Sequence, residues 1–309
     1  MTIDITRRQA TALLGGAALA SALPSIAAAQ SAPILTRPIP SSGEQIPIIG
    51  MGTWVTFNVG SSETLRARRL EVLRSFFALG GGMVDSSPMY GSAQDVMGWC
   101  LKRLPAAERK GLVSATKIWT PAGGSGPDQM RETRALWGLP EIDVMQVHNL
   151  VDWREHLRAI RAARDEGLVR YSGITTSHGW RHEEMERIMA AEKIDFIQLT
   201  YNPVDRMPED RLLDMAREKA IGVIVNRPFQ RGALIDRLAG KPLPGWAAGW
   251  GITNWPQFIL KFIVSHPAVT CAIPATSKVE HMQENMAAAR GPLPDAKTRA
   301  KMIRYVESL

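Results

Sequence analysis

Residues 142–149 read Ile-Asp-Val-Met-Gln-Val-His-Asn, a short strand-forming run that ends on an imidazole. Two earlier stretches have the same form. Residues 81–90, Gly-Gly-Met-Val-Asp-Ser-Ser-Pro-Met-Tyr, put Asp85 directly after Met83-Val84, with Tyr90 shortly beyond. Residues 111–119, Gly-Leu-Val-Ser-Ala-Thr-Lys-Ile-Trp, carry a run from Leu112-Val113 to Lys117. Short apolar runs of this kind read as buried strands of a parallel sheet. A parallel barrel carries its working residues where such strands end.

Outward from these stretches the chain alternates strand and helix. Strands are expected at 46–50, 83–84, 112–113, 142–147, 169–173, 196–199, 222–225 and 269–273. Helices are expected at 65–79, ended by Gly80-Gly81-Gly82, then at 93–103, 128–137, 181–191, 208–219, 256–265 and 279–289. A further helix runs from a cap at Asp152 to Glu166, and an extra one over 295–307. Eight strand–helix repeats give an α/β fold, a (β/α)8 TIM barrel with an N-terminal hairpin and a C-terminal extra helix. The domain reading is a leader at 1–29, a Ser- and Pro-rich linker and hairpin at 30–45, and the barrel at 46–309.

Each of the four polar residues has an ordinary role when taken alone. Asp85 before Ser-Ser-Pro fits a turn, Tyr90 a half-buried surface, Lys117 a solvated strand end and His148 a structural hydrogen bond. Together, in order and all at strand ends, an acid, a phenol, an amine and an imidazole make a proton-transfer site. An ammonium beside a phenol favours the phenolate, and a free Tyr, with a pKa of about 10, exchanges protons poorly near neutrality.

With the Asp-x-x-x-x-Tyr spacing and the Thr-Lys-x-Trp and Gln-x-His-Asn settings, this constellation resembles the aldo/keto reductases, whose Asp, Tyr, Lys, His tetrad stands in this order. The resemblance implies an oxidoreductase that reduces an aldehyde or ketone to an alcohol. Tyr90 acts as general acid, Lys117 and Asp85 lower its pKa, and His148 orients the carbonyl. None of the four carries hydride, so a nicotinamide cofactor is required. NADP(H) is preferred over NAD(H). An NADP(H)-binding sensor on the same barrel, with little turnover, is the alternative. A barrel hydrolase built on Asp85 lacks a second carboxylate at a strand end.

The cofactor positions also follow from the resemblance, since no Gly-x-Gly-x-x-Gly follows a strand. Gly52 and Thr53 fall near the nicotinamide ribose, and Thr175, Thr176 and Gln198 at the carboxamide. Where the family has Tyr-Ser-Pro-Leu, with the Tyr stacked on the nicotinamide, this chain has Asn226-Arg227-Pro228-Phe229. Arg231 and Gly232 fall against the pyrophosphate. Thr276, Ser277 and Lys278 face the adenosine phosphate at a helix N-terminus, where the family's usual Arg is His281; Glu284 and Asn285 face the adenine. Thr276 or Ser277 also suits a helix cap. The substrate pocket is expected from Trp54, Phe57, Met89 and Trp119. Trp246, Trp250 and Trp255, in the long stretch after Gly232, are expected to form a lid or wall. Trp99 and Trp137 read as core.

Composition bounds the rest. A net charge of +7 is spread along the chain, with Arg66, Arg68 and Arg69 on one helix as solvated charge, so no nucleic-acid surface is indicated. Cys100 and Cys271, the two cysteines, read as buried thiols, and no metal-ligand spacing is present. Thr6-Arg7-Arg8 precedes a small-residue apolar stretch from Ala10 to Ala29, broken by Gly15, Gly16, Ser21 and Pro24. That pattern reads as a twin-arginine-type signal cleaved near Ala29, too mild for a stable membrane span. The expected partners are a small-molecule carbonyl substrate and the twin-arginine export machinery, and the expected location is the periplasm. Replacing Arg7 and Arg8 together by Lys is expected to keep the precursor in the cytoplasm, as followed by cell fractionation; normal periplasmic yield of the double variant contradicts the reading.

Overall fold

The computed structural model describes residues 32–309; the leader expected at 1–29 and its expected cleavage near Ala29 lie outside the described residues. Two short strands, β1 (Thr36–Pro38) and β2 (Gln45–Pro47), pair antiparallel as a hairpin. Eight parallel strands follow. They are β3 (Met51–Gly52), β4 (Met83–Asp85), β5 (Val113–Ile118), β6 (Ile142–Val147), β7 (Val169–Thr175), β8 (Phe196–Thr200), β9 (Gly222–Asn226) and β10 (Val269–Ala272), each paired with the next in chain order. Bridges from Ile49 to Ala272 and from Gly52 to Ala275 join first strand to last. Gly50 N donates to Ala272 O at 2.8 Å, and Ala272 N to Ile48 O at 2.9 Å, which closes the barrel.

The helices are α1 (Glu63–Ala78), α2 (Ala93–Leu101), α3 (Gly126–Trp137), α4 (Trp153–Asp165), α5 (His182–Ala191), α6 (Leu212–Glu218), α7 (Ala233–Leu238), α8 (Trp255–Val264), α9 (Val279–Ala287) and α10 (Ala296–Glu307). Local chemistry sets their ends. Ser62 Oγ accepts from Leu65 N to start α1, and Gly80, at φ +90°, follows its last turn. Asn254 caps α8 through Gln257 N, and Asp295 caps α10 through Thr298 N at 2.7 Å.

The apolar residues divide into two cores. Met83, Val113, Ala115, Val144, Phe196, Ile224 and Cys271 fill the barrel interior together with Ile39 and Ile46 of the hairpin, which plugs the N-terminal end. The second core lies between the strands and the helices. Arg170 holds the plug by bridging Glu44 and Asp143, and Tyr171 donates to Glu44 at 2.7 Å. With that end closed, the opposite rim is left for chemistry.

Three sequence expectations need correction. The run over 46–50 is not one strand: Pro47 removes a backbone donor, so the chain leaves the hairpin there and enters the barrel at Met51. The stretch after Gly232 is not open loop, because Ala233–Leu238 forms α7 and Gly245–Trp250 a 3₁₀ turn, both too short for a periodic signal. Asp152 precedes α4 in a left-handed conformation and its side chain makes no cap bond. Trp99 is half-buried, packing against the edge of the strand–helix core under the guanidinium of Arg103, whereas Trp137 lies wholly within it, as expected. Cys100 and Cys271 are both buried, and burial pushes the Cys100 thiol up to about 12.

Gly98 of α2 lies against the last turn of α3, where an added Cβ would stand 2.0 Å from Leu136 O. Gly98→Ala is expected to lower stability by about 1–3 kcal/mol through overpacking, despite the better helix propensity of Ala. Urea unfolding reads this directly; an unchanged or raised midpoint contradicts the contact.

Candidate active site

Asp85 ends β4 and Lys117 lies near the end of β5, the adjacent strand. Both are about 1% exposed, and Lys117 Nζ pairs with Asp85 Oδ1. Nζ also donates to Ser86 O at 2.9 Å. The other carboxylate oxygen, Oδ2, accepts from Gln146 Nε2 at 3.1 Å and Gln198 Nε2 at 3.0 Å. A buried ion pair persists only when its remaining polar sites are satisfied, and here both carboxylate oxygens are. Thr53 Oγ1 fixes the backbone beneath by donating to Asp85 O at 3.0 Å.

Tyr90, on the loop after β4, lies over this pair. Lys117 Nζ is 5.0 Å from its ring centroid, and the His148 ring meets it edge-on at 5.6 Å. Burial raises the Tyr90 pKa above that of a free phenol, and Lys117 pulls it down by less. The expected lowering is therefore corrected: with these groups alone burial wins, and the phenol stays protonated at neutral pH. Burial also disfavours the Lys117 ammonium, but Asp85 and Tyr90 outweigh it, and its pKa ends above the ordinary value.

His148 follows β6 directly and is 5% exposed. Burial, with the nearby Lys117 charge, holds its pKa down at about 2, so the imidazole is neutral near pH 7. Its Nδ1 lies 2.8 Å from Ser87 Oγ, which also accepts from Met89 N at 3.2 Å. Assigning the hydroxyl proton to Nδ1 leaves Nε2–H as a donor for the cleft. Left-handed backbone at Asn149, Leu150 and Asp152 turns the chain sharply after it.

A cleft of about 830 Å³ opens above these residues. Its walls bring together Gly52, Thr53, Thr175, Thr176, Gln198, Asn226, Arg227, Arg231, Gly232, Thr276, Glu284 and Asn285, the positions marked for cofactor, with Trp54 and Met89 from the substrate set. Several of these groups are already engaged. Thr175 Oγ1 accepts from Asn149 N at 3.0 Å. Asn226 donates to Thr176 O at 2.9 Å and Gln198 Oε1 at 3.3 Å, and accepts from Thr200 Oγ1 at 2.7 Å. By contrast, Thr176 Oγ1 is buried with no partner among the described residues.

Other expected residues lie elsewhere. Phe57 is fully buried in the strand–helix core, because the turn after β3 folds its ring inward. Trp119 is 43% exposed and off the cleft wall. Ser277 and Lys278 are also off the wall; Ser277 O accepts from Arg69 at 3.4 Å and Lys278 is exposed. Thr276 Oγ1 accepts from Lys278 N at 3.1 Å, as a cap-like turn. Trp246, Trp250 and Trp255 form no lid: Trp246 and Trp255 pack on Phe258 of α8, and Trp250 joins the strand–helix core. Sequence reasoning did not single out Ser87 or Gln146. A Gln in the buried strand β6 was the available signal, since a buried amide requires partners.

A model of the aldo/keto reductase family matches residues 48–301. An aldo-keto reductase of Strobilurus tenacellus is 26% identical over 265 residues, 72% of this chain and 76% of that protein. The NADH-specific methylglyoxal reductase of Escherichia coli is 23% identical over 249 residues, 70% of this chain and 73% of that protein. In fold, the chain is similar to an aldo-keto reductase from Klebsiella pneumoniae solved with NADPH, at TM-score 0.73 and 22% identity, covering 89% of this chain and 95% of that one.

Asp85→Asn leaves Lys117 buried beside a neutral amide, and Lys117→Met leaves Asp85 uncompensated. Each is expected to cost about 3–5 kcal/mol, and the double variant less than the two costs added together. Chemical denaturation of the three variants checks this; additive losses contradict the coupling.

Proposed function

This chain belongs to the aldo/keto reductase family, and on that premise we propose that it reduces an aldehyde or ketone to the alcohol with NADP(H). The observation that carries the reading is the convergence of Asp85, Tyr90 and His148 on one cleft, with Lys117 buried behind its wall, paired to Asp85 and 5.0 Å from the Tyr90 ring centroid. The residues present fit a nicotinamide nucleotide. Thr176 Oγ1, buried and unpartnered among the described residues, offers a hydrogen bond to a carboxamide. Thr276, His281, Glu284 and Asn285 continue the same wall toward the N-terminal part of α9, where an adenosine end would lie.

When bound, the nicotinamide supplies the hydride. The chain's own groups manage the proton. His148, neutral, donates Nε2–H to the substrate oxygen and polarises the carbonyl. Tyr90, kept protonated by burial, gives its proton to that oxygen as charge develops there. Lys117 offsets the phenolate left behind, and Asp85 keeps Lys117 charged and in place. The Klebsiella pneumoniae protein of similar fold binds NADPH, while the Escherichia coli relative is NADH-specific, so the preference for NADP(H) is part of the proposal. Export on the Arg7-Arg8 leader completes the proposal, with the enzyme working in the periplasm.

Tyr90→Phe removes the proton donor and little else. Carbonyl-dependent NADPH oxidation, followed by absorbance, is expected to fall about 10²–10⁴-fold, while NADPH still quenches tryptophan fluorescence. Wild-type rates in this variant contradict the assignment of Tyr90.

A further inference from the structure

Arg227 and Arg231 sit on the turn after β9 and face one indole. Their Cζ atoms lie 5.8 and 4.5 Å from the Trp54 ring centroid. Both line the cleft, and among the described residues neither guanidinium is hydrogen-bonded or paired with a carboxylate. Arg181, on the same wall, differs: it bonds Glu184 at 2.7 Å and Asn149 O at 2.6 Å.

The acid whose charge reaches Arg227 is Asp205, and its Oδ2 already accepts from Asn202 at 2.7 Å and Gln230 at 2.9 Å. Burial and the neighbouring Arg231 both disfavour the charge on Arg227. Burial and the two arginines likewise hold the His178 pKa below its ordinary value. The turn itself is forced into place. Arg227, Gln230 and Arg231 take φ of 49°, 51° and 64°, a region that side-chain-bearing residues rarely adopt. Gln230 N donates to Arg227 O at 3.0 Å, and the Gln230 side chain ties the turn to Asp205. Like charges held together with no carboxylate in direct contact favour entry of an anion.

We propose that Arg227, seconded by Arg231, is an anion subsite for the substrate, which makes the preferred substrates carbonyl compounds bearing a carboxylate or another acid group. This rests on the reductase reading above. The substrate side is favoured because the indole beneath the arginines is also the neighbour of Tyr90, with ring centroids 6.4 Å apart. The positive charge thus stands one indole away from the proton donor, and Val55 and Met89 line the same cleft. Such a wall suits a molecule with an apolar middle, its carbonyl at Tyr90 and its acid group at Arg227. The cofactor's phosphates are the other source of the same chemistry, and the test separates the two.

The test compares 4-carboxybenzaldehyde with 4-methylbenzaldehyde, which match in shape and differ in charge. Reduction is followed at saturating NADPH for the wild type, Arg227→Gln and Arg227→Lys. The wild type is expected to favour the acid in kcat/KM. In Arg227→Gln the acid-to-neutral ratio falls about tenfold or more, and Lys restores part of it. An unchanged ratio overturns the subsite, and if NADPH affinity falls instead, Arg227 serves the cofactor. Should neither aldehyde be reduced by the wild type, the reductase reading fails, and binding of terephthalate, read by tryptophan fluorescence, still decides the subsite. Weaker binding to Arg227→Gln than to wild type upholds it, and equal binding overturns it.

Discussion

The ion pair between Lys117 and Asp85, closed off from water at the ends of adjacent strands, is the constraint on which the site depends. Neither charge is tolerable in that position without the other. The pair fixes Asp85 and Lys117, and Lys117 then acts on the two groups above it. Its charge opposes the rise that burial imposes on the Tyr90 pKa and adds to the fall at His148. One ammonium thereby favours a phenol that can release its proton and an imidazole that does not take one up.

The second carboxylate oxygen extends that constraint across the barrel. Gln146 and Gln198 donate to it, Gln198 donates to Gln146, and Asn226 links Gln198 to Thr200 and Thr176. The ends of β4, β6, β7, β8 and β9 are thus joined by side-chain amides and hydroxyls. By the sequence resemblance, Asn226 takes the place of a stacking Tyr. In this chain it serves the polar network, and the adjoining Arg227 is turned toward Trp54. The hairpin plug makes the arrangement one-sided, since Arg170, Glu44, Asp143 and Tyr171 seal the opposite end.

Much of this was legible in the sequence because the strands are short and each ends on a chemically distinct residue. Asp85, Lys117 and His148 each follow an apolar run, so their place on the rim follows once the runs are read as strands. The Gln198–Gln146 and Asn226–Gln198 bonds were not legible, because the partners lie 52 and 28 residues apart and meet only through strand register. Ring orientation was equally hidden. Phe57 and Trp54 share one turn, yet one faces the core and the other the cleft, and composition does not distinguish them. The tryptophans after Gly232 suggested a lid because α7 is too short to announce itself; with it in place, Trp255 packs between Phe258 and Tyr305. The direction of the Tyr90 shift was missed for a related reason. A neighbouring charge can be read from a motif, but the depth of burial that outweighs it comes from the assembled barrel.

The most direct test of the central claim is a titration of the purified protein with NADPH and with NADH, read by nucleotide fluorescence, followed by addition of an aromatic aldehyde. Saturable binding of NADPH, tighter than that of NADH, and its oxidation on adding the aldehyde are the predicted results. Absence of binding by either nucleotide contradicts the account, because the tetrad would then have no source of hydride.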